Sequence, residues 1–309
     1  MEKPKVAVLI PCYNEENTVA GVVSAFREAL PLSEIYVYDN NSSDSTRTLA
    51  ALAGAIVRSE REQGKGAVVR RMFRDVDADF YLIVDGDQTY DAKMSPHMLA
   101  MAMDEHLDLV NCIRVETGDS AYRTGHRFGN RMLTGAVRFV FGDRVQDMLS
   151  GYKLFSHRYV KSFPASSIGF GIETELTVHA LELQMPIGHV KGAYDGRPEG
   201  SASKLNTYRD GIRILFLIFQ LFKYEKPMAF FGIIAIILIF LSLFLGTPVV
   251  EHYLQTGLVP RLPTAILATG IMLLATMSFM TGLILDTVTR GRRELKALMY
   301  LSYPFFGRQ

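Results

Sequence analysis

From residue 6 to about residue 193, short apolar runs alternate with longer stretches of helical periodicity. Residues 6–10, 34–38, 55–57, 80–84 and 107–113 are rich in β-branched and aromatic side chains, and polar turns bound each run. Between them, residues 15–30, 44–53, 64–75 and 95–106 have helical length. Strands and helices in this succession predict an α/β domain with a mostly parallel sheet and helices on both faces. Ligands of such sheets bind beyond the carboxyl ends of the strands. Attention therefore falls on residues 11–15, 39–44 and 85–91.

Past residue 227 the pattern changes. Residues 228–250 and 262–285 contain no Asp, Glu, Lys or Arg. At 1.5 Å per residue each is long enough for a bilayer core of about 30 Å. Two transmembrane helices are predicted, with a buried soluble hairpin as the alternative. The linker 251–261 is short. Lys223 and Lys226 flank one side and Arg290, Arg292, Arg293 and Lys296 the other, which predicts both flanks and the large N-terminal domain in the cytoplasm. Residues 208–224 are amphipathic: Arg209, Arg213, Gln220 and Lys223 lie on one side, Ile214, Leu215, Ile218, Leu221 and Phe222 on the other. After the second span, Leu295, Leu298 and Met299 similarly oppose Arg292, Arg293 and Lys296. Both segments are expected to lie in the bilayer interface, with packing on the soluble domain as the alternative. The expected organisation is a cytoplasmic domain over 1–205, an interfacial helix over 206–226, a transmembrane hairpin over 227–289 and an amphipathic tail over 290–309.

Composition supports this division. The 309 residues are 49% hydrophobic, and the mean hydropathy of +0.13 is high for a uniformly soluble chain. Lys+Arg 33 against Asp+Glu 32 leaves a net charge of +1, so no electrostatic case for nucleic-acid binding exists. Cys12 and Cys112 sit in apolar runs and read as reduced core thiols. Residues 1–5 lead directly into the first strand, with no secretory-signal pattern.

Four motifs carry candidate chemistry. Pro11-Cys12-Tyr13-Asn14-Glu15-Glu16-Asn17 follows the first strand and opens a helix, presenting N–H groups at a ligand edge. Tyr38-Asp39-Asn40-Asn41-Ser42-Ser43-Asp44 follows the second; Asp39 can accept from a base N–H or a ribose hydroxyl, and Asp44 suits an N-cap first. Asp85-Gly86-Asp87 ends the fourth apolar run. Gly86 is expected to bend the chain so that the two carboxylates converge. Converged carboxylates suit Mg²⁺ or Mn²⁺, which would also hold a diphosphate. Gly64-Lys65-Gly66 opens a helix and can hold an anion, but it lacks the spacing and hydroxyl of a nucleoside-triphosphate P-loop.

The ordered set resembles family 2 glycosyltransferases of the GT-A fold, specifically the polyprenyl-phosphate sugar transferases: dolichol-phosphate mannose synthases and bacterial undecaprenyl-phosphate glucosyltransferases. Asp147-Met148-Leu149-Ser150-Gly151-Tyr152-Lys153, Phe170-Gly171-Ile172-Glu173-Thr174-Glu175-Leu176 and Gly200-Ser201-Ala202-Ser203-Lys204-Leu205 complete the match, which covers about residues 5–225. The resemblance implies transfer of a hexose from a UDP- or GDP-linked sugar to a polyprenyl phosphate, undecaprenyl phosphate foremost, for cell-envelope glycan assembly. It implies Pro11, Tyr13, Glu15, Asp39 and Lys65 around the nucleotide sugar and Asp85 and Asp87 on the metal. Many relatives carry a metal-binding Gln where this chain has Thr89; Gln88 is adjacent. The acceptor phosphate is expected at Arg114, Arg127 and Lys204, with Arg131, four residues from Arg127 on one helix face, and Arg197 added from position and charge. Glu175 matches a recurring family acid. Arg138, Arg144 and Arg158 read as surface cations, and His126, His157, His179 and His189 as structural. Gly270, Ala275, Ser278 and Gly282 are small enough to permit homo-oligomeric helix packing. The alternatives are a non-catalytic membrane adaptor, a flippase or channel subunit, and transfer to a polysaccharide.

Overall fold

A computed structural model describes residues 3–116, 144–164, 171–196 and 207–307, with single positions between 132 and 142. The chain divides into two compact units, residues 1–218 with 295–309, and residues 219–294.

The first unit is built on a seven-stranded sheet of order β3-β2-β1-β4-β6-β5-β7. Its strands are β1 (Val6–Cys12), β2 (Glu34–Asp39), β3 (Ile56–Ser59), β4 (Phe80–Ile83), β5 (Leu109–Glu116), β6 (Lys153–Ser156) and β7 (Ile187–Tyr194). β1 pairs in parallel with β2 and β4, β2 with β3, and β5 with β7. β6 runs antiparallel to both of its neighbours. The strands alternate between two cores. Val8, Ile10, Phe80 and Leu82 enter a cluster with Val22, Val23 and Phe26 of α1 (Val19–Ala29) and Met98 of α4 (Ser95–Asp104). Ala7, Leu9, Tyr81 and Ile83 enter the other, with Val68, Val69 and Met72 of α3 (Lys65–Asp75) and Ile172 and Leu176 of α6 (Ile172–Glu182). Two further helices, α2 (Thr46–Leu52) and α5 (His157–Ser162), complete the layer order. The period of two along each strand thus buries both faces of the sheet, as a parallel α/β sheet requires.

Residues 295–307 also belong to this unit. Lys296 Nζ lies 2.6 Å from Glu182 Oε2, and Tyr300 donates to Asp108 Oδ2 at 2.6 Å. Arg158 pairs with both oxygens of the fully buried Asp108 and lies between the rings of Tyr300 and Phe305. Arg158 is therefore not the solvated cation expected. Phe305 is itself buried, edge-on to Phe80. The tail packs on the domain through its polar side, the alternative weighed for it, while Leu295, Leu298 and Met299 are exposed.

The second unit is a helical hairpin. α8 (Pro227–Thr256) and the membrane-length part of α9 (Leu262–Leu301) are long and apolar enough to cross a membrane; α7 (Thr207–Glu225) precedes them. Apart from Pro227 at the start of α8, the residues buried in the hairpin recur every seventh position: Ala235, Ser242 and Val249 on α8, and Ala268, Ala275, Gly282 and Thr289 on α9. The large side chains Ile237, Phe240 and Phe244 face outward. Small residues let the backbones approach, and Ser242 and Ser278 donate across to Ala268 O and Phe231 O at 2.8 and 3.0 Å. A Cβ on Gly282 would lie 3.1 Å from that of Phe231. Ala275, Ser278 and Gly282, expected to serve contact between copies, thus serve contact within the hairpin. At its base Arg293 pairs with the buried Glu225 at 2.9 Å.

Candidate active site

The carboxyl ends of β1, β2 and β4 lie side by side, and their loops are laced together. Asn40 N–H donates to Cys12 O. Asn14 N–H donates to Ser42 Oγ, Ser43 N–H to Asn14 Oδ1, Glu15 N–H to Thr46 Oγ1 and Glu16 N–H to Asp44 Oδ2. Asn14 and Asn41 sit at positive φ, a region asparagine tolerates better than most residues. Asp44 binds Thr46 N–H and Oγ1 as well as Glu16 N–H; burial works against its charge, but these bonds outweigh it and hold the carboxyl below its ordinary range. Asp44 thus organises the loop, while the N-cap position expected for it falls one residue on, at Ser45. Asp39 is 6% exposed at the end of β2 and accepts from Ser42 N–H. Pro11 and Tyr13 border the same edge, Tyr13 being 38% exposed.

Asn40 shapes the next loop, a role the sequence did not reveal. Its amide donates to Glu60 O and Glu62 O, and its Oδ1 accepts from Gly64 N–H at 2.7 Å. Asn41 adds a bond to Arg61 O. These bonds set Gly64, at φ +130°, where α3 begins and Lys65 turns inward.

Lys65 Nζ contacts Asp85 Oδ1 and lies 2.7 Å from Glu173 Oε1. Burial alone would pull this ammonium's pKa down; the two carboxylates outweigh it and push it up. Burial pushes the Asp85 carboxyl up, against Lys65 and with the added repulsion of Asp87. Glu173 is held low, because its contact with Lys65 outweighs burial. Asp87 is 4% exposed and accepts from Thr89 Oγ1 at 2.7 Å. Gly86 passes close over Cys12, whose Sγ would lie 2.6 Å from a Cβ there, and Gly86 O accepts from Thr18 at 2.6 Å. These contacts fix the bend between the aspartates. Gln88, the out-of-register candidate beside the position where relatives carry a metal-binding Gln, sits at positive φ and turns its amide against Gly21 of α1. Thr89 instead serves Asp87.

Among the described residues no cluster of three or more His, Cys, Asp or Glu side chains could hold a metal ion. Two carboxylates at a strand end nevertheless fit Mg²⁺ or Mn²⁺, hard cations commonly held by one or two carboxylates with substrate oxygens and water completing the shell. The chain's candidates for such an ion are Asp85 and Asp87.

The far side of the site is closed by residues 147–153. Gly151 N–H donates to Tyr90 Oη at 2.8 Å, and Asp147, at positive φ, binds the Arg114 guanidinium through both oxygens at 2.6 and 2.8 Å. Burial opposes ionisation of Asp147, but Arg114 outweighs it and keeps the carboxyl low. Arg114 is thus paired with Asp147 and largely buried, with its guanidinium 5.4 Å from the centre of the Tyr194 ring. Buried Lys153 donates to Met148 O and Ser150 O. His157, His179 and His189 bond to Ala78 O, Ser162 and Arg144 O, in keeping with structural roles. Cys12 and Cys112 are free and buried. Arg127, Arg131, Arg197 and Lys204 lie outside the described residues.

Acidic side chains thus stand at the carboxyl ends of β2 and β4, the edge at which open α/β sheets bind their ligands. The chain belongs to glycosyl transferase family 2, whose profile matches residues 7–163. It is 34% identical over 228 residues to glycosyltransferase AglJ of Haloferax volcanii, covering 74% of this chain and 75% of AglJ. It is 28% identical over 198 residues to the undecaprenyl-phosphate 4-deoxy-4-formamido-L-arabinose transferase of Yersinia pestis, covering 58% of this chain and 60% of that protein. The fold matches Mycobacterium tuberculosis glucosyl-3-phosphoglycerate synthase in complex with Mn²⁺, UDP-glucose and glycerol 3-phosphate, at TM-score 0.56 and 22% identity, over 71% of this chain and 79% of that one.

Proposed function

We propose that the protein is a membrane-anchored enzyme that moves a hexose from a UDP- or GDP-linked sugar to a polyprenyl phosphate, with undecaprenyl phosphate the first candidate. The observation that carries this reading is the union, in one family 2 chain, of the Asp39–Lys65–Asp85–Asp87 edge with two helices of membrane length. The likeness to the Yersinia undecaprenyl-phosphate transferase supports the acceptor class. Pro11, Tyr13, Glu15 and Asp39 would line the nucleoside, Asp39 accepting from base or ribose. Asp85 and Asp87 would hold Mg²⁺ or Mn²⁺, and Lys65 would lie near the diphosphate. The metal supplies charge stabilisation for the departing nucleoside diphosphate. The acceptor needs little activation, since a phosphate monoester has its second pKa at about 6. The chain's own task is alignment. Arg127, Arg131, Arg197 and Lys204 are the proposed cations for the acceptor phosphate. Both membrane flanks and the catalytic unit are assigned to the cytoplasmic face of a bacterial inner membrane.

The test is incubation of the full chain in detergent with a panel of UDP- and GDP-sugars and undecaprenyl phosphate, read by product mass. A lipid carrying one phosphate-linked hexose, with release of nucleoside diphosphate, is expected. Transfer to a polysaccharide or to water, with no lipid product from any donor, would overturn the acceptor assignment.

A further inference from the structure

The Lys65 ammonium is shared between two carboxylates that come from different elements. Lys65 begins α3, Asp85 follows β4, and Glu173 lies in the first turn of α6. Both contacts are made at once. The three side chains remain partly exposed, at 31%, 29% and 23%, so a small cation can reach the cluster from solvent. Asp85 is one of the two carboxylates best placed for a divalent cation, yet its Oδ1 already holds an ammonium. A divalent cation and an ammonium that share one carboxylate repel each other across it, so each is held less tightly than either alone. Three carboxylates, Asp85, Asp87 and Glu173, lie around the Lys65 ammonium, with Lys153 the further cation near Glu173, so the cluster retains negative charge that a divalent cation would offset.

We propose that Lys65 is an internal counter-cation that competes with the divalent metal for Asp85, and that Glu173 is the positioning residue to which Lys65 withdraws when the metal enters. Glu173 is suited to this. It sits at a helix N-terminus, where a carboxylate is stabilised, and it already grips the ammonium, so displacement from Asp85 never leaves a buried charge unpaired. The withdrawn ammonium remains beside the diphosphate position proposed above. The inference rests on the proposed metal site, and it assigns to Glu173 a role that acts only through Lys65.

The test is Mn²⁺ binding to the full chain in detergent without nucleotide, followed by the loss of the free-ion electron paramagnetic resonance signal. Lys65→Met removes the competitor and should tighten Mn²⁺ by about fivefold or more, whereas Lys65→Arg, which keeps the charge, should stay within about twofold of wild type. Glu173→Gln leaves Lys65 with Asp85 alone and should weaken Mn²⁺ about threefold or more. In the Lys65→Met background the same change should shift binding less than about twofold, since coupled residues are non-additive. Unchanged or weaker binding by Lys65→Met would overturn the competition. An equal effect of Glu173→Gln in both backgrounds would reduce Glu173 to a distant charge and overturn its positioning role. If wild type binds no Mn²⁺ even with UDP or GDP present, the metal reading itself fails and this inference with it.

Discussion

Gly151→Ala tests whether the position of the Asp85 carboxylate matters to the reaction. A Cβ on Gly151 would lie 2.7 Å from Asp85 Cγ and 3.0 Å from Oδ1, against about 3.5–4.0 Å for comfortable carbon contact. The backbone of Gly151 is not in the left-handed region, so alanine is conformationally acceptable and the cost is purely one of space. The carboxylate has little freedom to retreat, because the close packing of Gly86 over Cys12 holds the strand end and a cation, Lys65 or the divalent ion, holds its oxygens. It must shift by about 1 Å, a displacement that can cost about 100-fold in rate. That loss is about 2.7 kcal/mol of transition-state stabilisation at about 1.36 kcal/mol per decade. Overpacking should also cost about 1–3 kcal/mol of stability. The assay is turnover at saturating nucleotide sugar and undecaprenyl phosphate, beside a thermal melt that shows the variant folded. A folded Gly151→Ala with turnover within about threefold of wild type would refute the reasoning and free Asp85 from any strict placement.

Three further outcomes are expected. Asp85→Asn and Asp87→Asn should each lower transfer by about 100-fold or more, and excess EDTA should reproduce the loss in wild type; full activity in EDTA would make the aspartates turn residues only. Asn40→Ala removes three hydrogen bonds from the 60–64 loop and should cost about 2–3 kcal/mol of stability with a raised KM for the nucleotide sugar; an unchanged KM would separate this loop from the donor site. Burial holds His179 down to about 3 from an ordinary 6.5, so the folded chain keeps it neutral while the unfolded chain takes up a proton as pH falls through about 6.5. Stability should therefore fall from pH 7 to pH 5, by up to about 1.4 kcal/mol per unit below 6.5, and His179→Leu should flatten that slope in denaturation midpoints; equal slopes would exclude His179 as the cause.

Different parts of this structure were legible to different degrees, for physical reasons. β1, β2 and β4 announce themselves as continuous apolar runs because both faces of a parallel strand are buried, and with them came Asp39, Asp85 and Asp87 at the strand ends. β6 did not. It is four residues long, Lys-Leu-Phe-Ser, and its buried Lys153 breaks any apolar pattern. β7 is interrupted by Gly188 and Gly192, which a pattern reading takes for turns. The structure needs both for close approach, since a Cβ on Gly192 would lie 2.5 Å from Cys112 Sγ. Glu173 was passed over for Glu175 because nothing local marks it; only the packing of α6 beside α3 brings it to Lys65. Arg114 was marked by the family resemblance, yet nothing along the sequence reveals its partner Asp147, thirty-three positions away.

The small residues of the hairpin and the polar residues of the tail follow one inverted logic. In a water-soluble protein Ile237, Phe240 and Phe244 would point inward, with Ser242 and Gly282 left outside. Here the small residues meet and the large ones face out, which costs least when the surrounding solvent is hydrocarbon. The tail repeats the inversion within the first unit. Lys296 and Tyr300 turn inward to Glu182 and Asp108, while Leu295, Leu298 and Met299 remain exposed. Facing water, such a stripe would waste apolar area that burial would otherwise stabilise at about 25 cal/mol per Å²; against a lipid surface the same stripe is favourable. A polar face spent on the protein and an apolar face turned outward are what a helix needs where a catalytic domain meets a bilayer. Under the proposed function it is also where the enzyme must stand, since a polyprenyl phosphate keeps its phosphate in water and its chain in lipid.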